Sequence, residues 1–148
     1  MRAFSDVKPA IFIAVPLIIE KIVTGKIFPI LRTSRVRNLL RFPLTRSLVY
    51  KQIRKRLIKA FGGEFYEIIV GGAAFNKDVE NFLAKIKVPY TIGYGMTECG
   101  PIIGYEDWHH FVKGSCGKAA PRMEVKILSK EPATVPGEIL VRGTNVML

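Results

Sequence analysis

The 148-residue chain carries 23 Lys and Arg against 12 Asp and Glu, a formal net charge of +11. Its 49% hydrophobic and 24% charged residues exclude a disordered or low-complexity chain, and its length is that of about one domain. The charge excess points to anionic partners, whether nucleic acid, nucleotide phosphates or an acidic membrane surface, and does not choose among them.

Near the start, Pro9 to Pro16 is a short apolar run bounded by prolines, the pattern of a strand buried on both faces of a parallel sheet. Pro16 suits the first turn of a following helix, with Leu17, Ile18, Lys21 and Ile22 as its mixed face and Gly25 as its stop. The apolar run Ile11 to Ile19 is shorter than the about 20 residues that span a bilayer, and no small-residue cleavage site follows it. From Arg32 to Lys59 the chain holds ten basic residues and no acidic one. The second half of that stretch is expected to be helical, since Val49, Ile53, Leu57 and Phe61 recur at helical spacing before Gly62-Gly63. The first half, around Pro43, reads as a surface connection.

Glu67 to Val70 reads as a buried strand, followed at once by Gly71-Gly72-Ala73-Ala74. Asn76 is a good helix N-cap, with Val79, Phe82, Leu83 and Ile86 on one face behind it. Val88 to Ile92 begins the next strand. Strand, helix and strand at this spacing predict a βαβ unit, a parallel sheet and a right-handed crossover. Further on, Met123, Val125 and Ile127 alternate with charged residues, and Ile139 and Val141 alternate after Pro136-Gly137, which predicts an antiparallel hairpin. The expected class is α/β: a parallel sheet with flanking helices, then a hairpin that begins a small barrel subdomain. Residues 1–112 are expected to form the α/β part and 113–148 the start of the β-rich part.

In a parallel α/β sheet, ligands bind beyond the carboxyl ends of the strands. Two small-residue loops leave such ends, Gly71 to Ala74 and Gly93 to Glu98. Small residues let a ligand approach the backbone N–H groups, although glycines after a strand also serve as plain turn punctuation. Tyr94 offers an aromatic face, Thr97 a hydroxyl for a phosphate oxygen, and Glu98 a hard carboxylate oxygen of the kind Mg²⁺ takes. Met96 reads as core, Trp108 as packing, and Lys118 as a surface turn lysine. His109-His110 lack neighbours at metal-ligand spacing. Cys99 and Cys116 form no Cys-x-x-Cys pair and read as reduced thiols of a cytosolic protein, and Cys99 has no general base beside it.

Tyr94-Gly95-Met96-Thr97-Glu98 resembles the YGxTE signature of the adenylate-forming (AMP-binding) superfamily. Gly71-Gly72-Ala73 resembles its GGA loop, and Gly114-Ser115-Cys116-Gly117-Lys118 its G-S-x-G-K turn. Gly137 to Gly143 with Asn145-Val146-Met147 resembles its GEI-x-VRG-x-N-V-M strand. Val15-Pro16, Glu20-Lys21 and Phe61-Gly62-Gly63 resemble the long-chain fatty-acid–CoA ligase branch. Ala119-Ala120 and Arg122 stand where the family's turn has proline-containing and glycine positions. The resemblance implies a two-step reaction in which a carboxylate becomes acyl-AMP and then an acyl-CoA thioester, with ATP, Mg²⁺ and CoA. It implies that Tyr94 stacks on adenine, that Gly71, Gly72, Ala73 and Ala74 line the base and acyl pocket, and that Gly93, Gly95 and Met96 border the nucleotide. Thr97 would contact phosphate and Glu98 would hold the metal. The family's phosphate loop, ribose-binding aspartate and catalytic lysine match nothing in these residues, so the expectation is an internal segment without activity of its own. A fatty acid is the expected substrate and the cytoplasm the expected location, with peripheral contact to anionic membrane through the basic stretch. The competing reading is a basic binding module for nucleic acid or anionic lipid. Only Phe42 and Tyr50 interleave the basic residues, so no nucleic-acid partner is expected.

Overall fold

The computed structural model describes residues 7–147, so residues 1–6 and Leu148, at the outer ends of the two expected parts, lie outside the described residues. The chain forms two compact units that divide between Tyr90 and Thr91.

In the first unit, β1 (Ile11–Ala14) pairs in parallel with β2 (Glu67–Val70), in register from Ile11 opposite Glu67 to Ala14 opposite Val70. With β3 (Tyr90–Ile92), in which the division between the units falls, they make the expected parallel sheet in the order β1-β2-β3. Pro16 opens α1 (Pro16–Ile22), as its fixed φ suits a first helical turn. The face this helix buries is Pro16, Ile19 and Val23, however, and Leu17 and Ile18 are exposed. Gly25 does not stop the helix either. The chain passes through a π-helical turn, Val23–Ile27, into α2 (Phe28–Arg32), while the Thr24 hydroxyl donates to the Glu20 carbonyl at 2.7 Å. The region around Pro43 is likewise helical rather than a bare connection: α3 (Ser34–Leu39) precedes it, and Pro43 itself begins α4 (Pro43–Ala60).

Helix α4 ends where expected, and Gly62 and Gly63 donate their N–H groups back to the Lys59 and Ile58 carbonyls. Asn76 caps α5 (Lys77–Lys85) by accepting from the Asp78 and Val79 amides at 2.9 and 3.2 Å. Val79, Phe82, Leu83 and Ile86 are buried, as the spacing predicted. Aromatic edges complete this core, with Phe28 against Phe82 at 5.4 Å between ring centres and Phe61 against Phe65 at 6.0 Å. Tyr90 reaches the Glu80 carbonyl and carboxylate at 3.5 Å, and burial foremost, then Glu80, pushes its phenol above the ordinary tyrosine range.

The second unit holds two antiparallel sheets. One has the order β4 (Tyr94–Gly95), β5 (Ile102–Tyr105), β6 (Lys118–Ala119). The other is the expected hairpin of β7 (Met123–Leu128) and β8 (Glu138–Gly143), paired from Met123 opposite Gly143 to Leu128 opposite Glu138. The described strands do not close into a barrel. Cys99, Ile103 and Met123 form this unit's small core, with Tyr94, Ala120, Val141 and Val146 against it. Among the described residues, no helix is long and apolar enough to cross a membrane.

Candidate functional site

In the first unit, the candidate segment is the one after β2. Gly71 is half-buried and donates its N–H to the Ala14 carbonyl at the end of β1, at 3.1 Å. Gly72, with φ of +88°, then turns the chain outward, and nothing stands within 4 Å of the place a side chain would take. Gly72, Ala73 and Ala74 are all exposed. The segment closes at Asn76, whose N–H donates to the Glu20 carboxylate at 2.8 Å. The result is a short shelf of bare backbone and methyl groups, fixed at both ends and open between them.

In the second unit, the candidate segment is Gly93 to Glu98, which is more structured than a loop. Tyr94 and Gly95 pair with β5 across a bulge, with Tyr94 opposite Gly104 and Gly95 opposite Ile102. The Met96 N–H donates to the Pro101 carbonyl at 2.9 Å. Only glycine fits at position 95, since a Cβ there would lie 1.8 Å from the Pro101 carbonyl oxygen. Thr97–Cys99 then make one 3₁₀ turn, closed by Gly100 in the left-handed region. A segment nearly fifty residues later holds this turn. The Met147 N–H donates to the Glu98 carbonyl at 2.8 Å, and the Asn145 amide donates to the Cys99 carbonyl at 2.6 Å. The YGMTE and GTNVM motifs, separate in sequence, are therefore one hydrogen-bonded assembly inside this unit.

Side chains sort sharply on that turn. Cys99 points into the core and Tyr94 is half-buried against the Cys99, Ile103 and Met123 cluster. Gly93 is half-buried and Gly95 exposed. Met96, expected in the core, is 43% exposed instead, because the extended backbone before the 3₁₀ turn carries its side chain outward. Thr97 and Glu98 are exposed, and neither side chain has a hydrogen-bond or ion-pair partner among the described residues. Thr97 and Glu98 thus carry an exposed hydroxyl and an exposed carboxylate on a turn whose Glu98 and Cys99 carbonyls accept from Met147 and Asn145.

That donor set fits magnesium in character. Mg²⁺ takes oxygen ligands, keeps several waters, and is held by one or two carboxylates plus substrate phosphates rather than by a protein cage. Glu98 supplies such a carboxylate, and no group of three or more His, Cys, Asp or Glu gathers at metal-binding distance among the described residues.

The remaining motif residues build the frame. The Ser115 hydroxyl donates to the Val112 carbonyl at 2.7 Å and accepts the Gly117 N–H at 3.2 Å, which shapes the turn before β6. Lys118 pairs with Glu106 at 2.7 Å, and this bond holds the Glu106 carboxyl below its usual range. Arg122 occupies the family's glycine position and adopts a glycine-like φ of 69°. The His109 ring nitrogen Nδ1 sits 2.7 Å from the Asp107 carboxylate, and the ring stacks on Trp108. Two contacts at the site have no sequence signal of their own, the Glu20 carboxylate and the Asn145 amide; only their places inside longer motifs mark them.

The chain is similar to known ligases. It is 29% identical over 119 residues to 4-coumarate-CoA ligase 1 of Narcissus pseudonarcissus, covering 71% of this chain and 22% of that protein. It is 30% identical over 105 residues to long-chain-fatty-acid–CoA ligase 1 of Saccharomyces cerevisiae, covering 68% of this chain and 14% of that one. The chain therefore spans about a fifth or less of the length of these relatives. Among solved structures, o-succinylbenzoate CoA synthetase of Bacillus subtilis, in complex with the acyl-adenylate intermediate OSB-AMP, matches 99% of this chain and 25% of its own, with a TM-score of 0.63. At 21% identity that likeness is one of fold. The sequence pattern of the family described as AMP-binding enzyme matches residues 1–148, and with the motifs assembled as above, this chain belongs to that family.

Proposed function

We propose that this chain is a segment of an ATP-dependent acid–thiol ligase, and that the turn Gly93 to Glu98 handles the phosphate end of the nucleotide. One observation supports this above the others. Thr97 and Glu98 carry an uncommitted hydroxyl and carboxylate on a turn whose carbonyls are pinned by Met147 and Asn145. A hydroxyl donor for phosphate oxygens and a carboxylate for the accompanying cation are what phosphate chemistry uses.

In the first step, a carboxylate oxygen of the acid attacks the α-phosphorus of ATP, and pyrophosphate leaves. In the second, the CoA sulfur attacks the acyl carbonyl carbon and AMP leaves. Thr97 donates its hydroxyl to a phosphate oxygen. Glu98 holds the cation, which when bound offsets negative charge on the phosphates. Tyr94 stacks its ring on adenine. Gly71, Gly72, Ala73 and Ala74 border the base and the acyl group, and Gly93, Gly95 and Met96 border the nucleotide. Residues 1–112 belong to the α/β part of the longer domain, and 113–148 begin its β-rich part.

The acid is a long-chain fatty acid in this reading, on the strength of Val15-Pro16, Glu20-Lys21 and Phe61-Gly62-Gly63. Relatives named for 4-coumarate make an aryl acid the rival substrate. Acid-dependent exchange of pyrophosphate into ATP decides between them. The protein that carries this chain, at its full encoded length, is expected to exchange with palmitate and not with 4-coumarate. Residues 1–148 alone are expected to exchange with neither.

A second reading concerns location. At the corner between α3 and α4, Leu39, Phe42 and Leu44 are 45%, 66% and 83% exposed, and exposed Arg37, Arg41 and Arg46 surround them in sequence. No residue from Arg32 to Lys59 forms an ion pair among the described residues. Apolar side chains inside a basic collar suit peripheral contact of a cytoplasmic protein with an anionic bilayer. Cosedimentation with phosphatidylserine vesicles but not with neutral phosphatidylcholine vesicles is the expected result. Equal recovery with both, or retention by nucleic acid alone, would sink it.

A further inference from the structure

The Gly71 to Ala74 segment has no hydrophobic anchor of its own, since three of its four residues are exposed and none carries more than a methyl group. Its course is set by its two ends. The first end is a backbone contact, Gly71 N–H to the Ala14 carbonyl. The second depends on a single side chain, the Glu20 carboxylate, which accepts the Asn76 N–H at 2.8 Å.

Glu20 is oddly placed for a residue that only serves its own helix. It lies inside the helical run that continues from α1 (Pro16–Ile22) through the π turn into α2, and its carboxylate caps neither end of that run. It is half-buried, and its carboxylate has no ion pair among the described residues. The contact it makes spans 56 positions of sequence, to the residue that caps α5. Asn76 uses its side chain for the cap, on the Asp78 and Val79 amides, and its N–H is thereby left for Glu20. The residues joined in this way lie on either side of one functional segment. Ala14 ends the strand before Val15-Pro16, and Glu20 follows one turn later. The Ala14 carbonyl and the Glu20 carboxylate thus hold the two ends of the Gly71 to Ala74 shelf, and the Val15-Pro16 pair lies between them in sequence.

We infer that Glu20 is a positioning residue for the nucleotide site: its carboxylate fixes the far end of the Gly71 to Ala74 segment and so sets the surface on which base and acyl group rest. The inference rests on the ligase reading for what the shelf contacts, and on this unit's own geometry for how the shelf is held. A charged acceptor on a backbone N–H is among the stronger hydrogen bonds available to a loop. Its loss frees the segment rather than unfolding the unit, because α5 keeps its Asn76 cap and its buried face of Val79, Phe82 and Leu83.

Two readouts on the full-length protein that carries this chain test the inference. Hydrogen exchange without nucleotide reads the contact itself. Glu20→Ala is expected to speed exchange of the Asn76 amide about tenfold, while the amides of Phe82 and Leu83 stay as they were. Steady-state kinetics read the role. A surface that binds ground state and transition state alike acts on KM, so Glu20→Ala is expected to raise the KM for ATP about tenfold and leave kcat within about twofold. Glu20→Gln, which keeps an acceptor oxygen at the same reach, is expected to recover most of both effects, and Glu20→Asp, one methylene shorter, little of either. An unchanged Asn76 amide in Glu20→Ala overturns the inference. So does faster exchange with no change in KM. Equal loss of kcat in the Ala and Gln variants would also overturn it. If the wild type shows no acid-dependent exchange with any acid, the ligase reading falls and the positioning role falls with it, whereas an active wild type matched by Glu20→Ala removes the inference alone.

Discussion

The two segments that leave the sheet reach fixed positions by opposite means. Gly71 to Ala74 is exposed, carries almost no side chain, and is held by one strand carbonyl and one carboxylate. Gly93 to Glu98 is woven into a sheet, turned through a 3₁₀ helix and bolted to residues 145 and 147. The first can be loosened by a single side-chain change without harm to the core behind it. The second cannot, because its main chain is part of that core's wall. In the ligase reading proposed above, a surface that borders adenine and an acyl group tolerates the first kind of support. Groups that must meet a phosphate at a fixed angle need the second, since displacement of a reacting group by about 1 Å can cost about 100-fold in rate.

The sharpest way to break the contrast is Gly95→Ala. The added methyl would sit 1.8 Å from the Pro101 carbonyl oxygen, so the pairing of β4 with β5 has to open. A loss of about 3 kcal/mol is expected in denaturant unfolding, at the upper end for overpacking. Gly72→Ala, in open space, is expected to cost much less than that, its penalty coming from φ of +88° alone. Equal costs would erase the distinction between the two segments.

Asn76→Ala comes next. It removes the cap on α5 while leaving the Asn76 N–H to Glu20, and is expected to cost about 1 kcal/mol by the same measurement. In a double-mutant cycle with Glu20→Ala the two changes should couple, since they act on one junction. Strict additivity would show that the cap and the carboxylate hold the segment independently.

How much of this was legible beforehand follows from where the information lies. The β2-α5-β3 unit, the Asn76 cap, the end of α4 at Gly62-Gly63 and the β7–β8 hairpin are all written locally, as periodicity or as a cap at one position. Strands β4 and β6 are two residues each, too short to show alternation. Gly25 looked like a stop because glycine favours one, yet the helical chain continues through a π turn in which Thr24 bonds back to Glu20. Met96 looked like core from its chemistry, and the extended step before Thr97 turned it out. At the site, the motif residues themselves were readable. The partners that hold them, Glu20 for the first segment and Asn145 with Met147 for the second, lie tens of residues away, and their places inside longer motifs do not show what they bond to.

Arg122 offers a smaller test within the second unit. A non-glycine residue at φ of 69° carries strain that glycine does not. Arg122→Gly is expected to stabilise the chain by about 0.5–1 kcal/mol, the relief of strain being partly offset by the unfolded chain's greater freedom. A loss of stability would mean that the arginine side chain contributes more than its backbone costs.

The smallest effect belongs to Tyr90 and appears only in alkali. Burial and Glu80 raise its folded pKa above the ordinary 10, so the folded state keeps the proton that the unfolded state gives up. The stabilisation is complete below about pH 10 and is lost as the pH rises from there toward the folded pKa. Tyr90→Phe should flatten the fall of stability above pH 10 and leave the profile from pH 6 to 9 unchanged in shape. An identical alkaline slope in both proteins would show that this phenol is not what titrates.

The central claim is that the pinned turn delivers Thr97 and Glu98 to the phosphates, and acid-dependent ATP–pyrophosphate exchange by the full-length protein tests it most directly. The wild type should exchange, and Glu98→Gln should lower the rate by about 100-fold or more with an unchanged unfolding midpoint. A Glu98→Gln protein that exchanges as fast as the wild type would contradict the account.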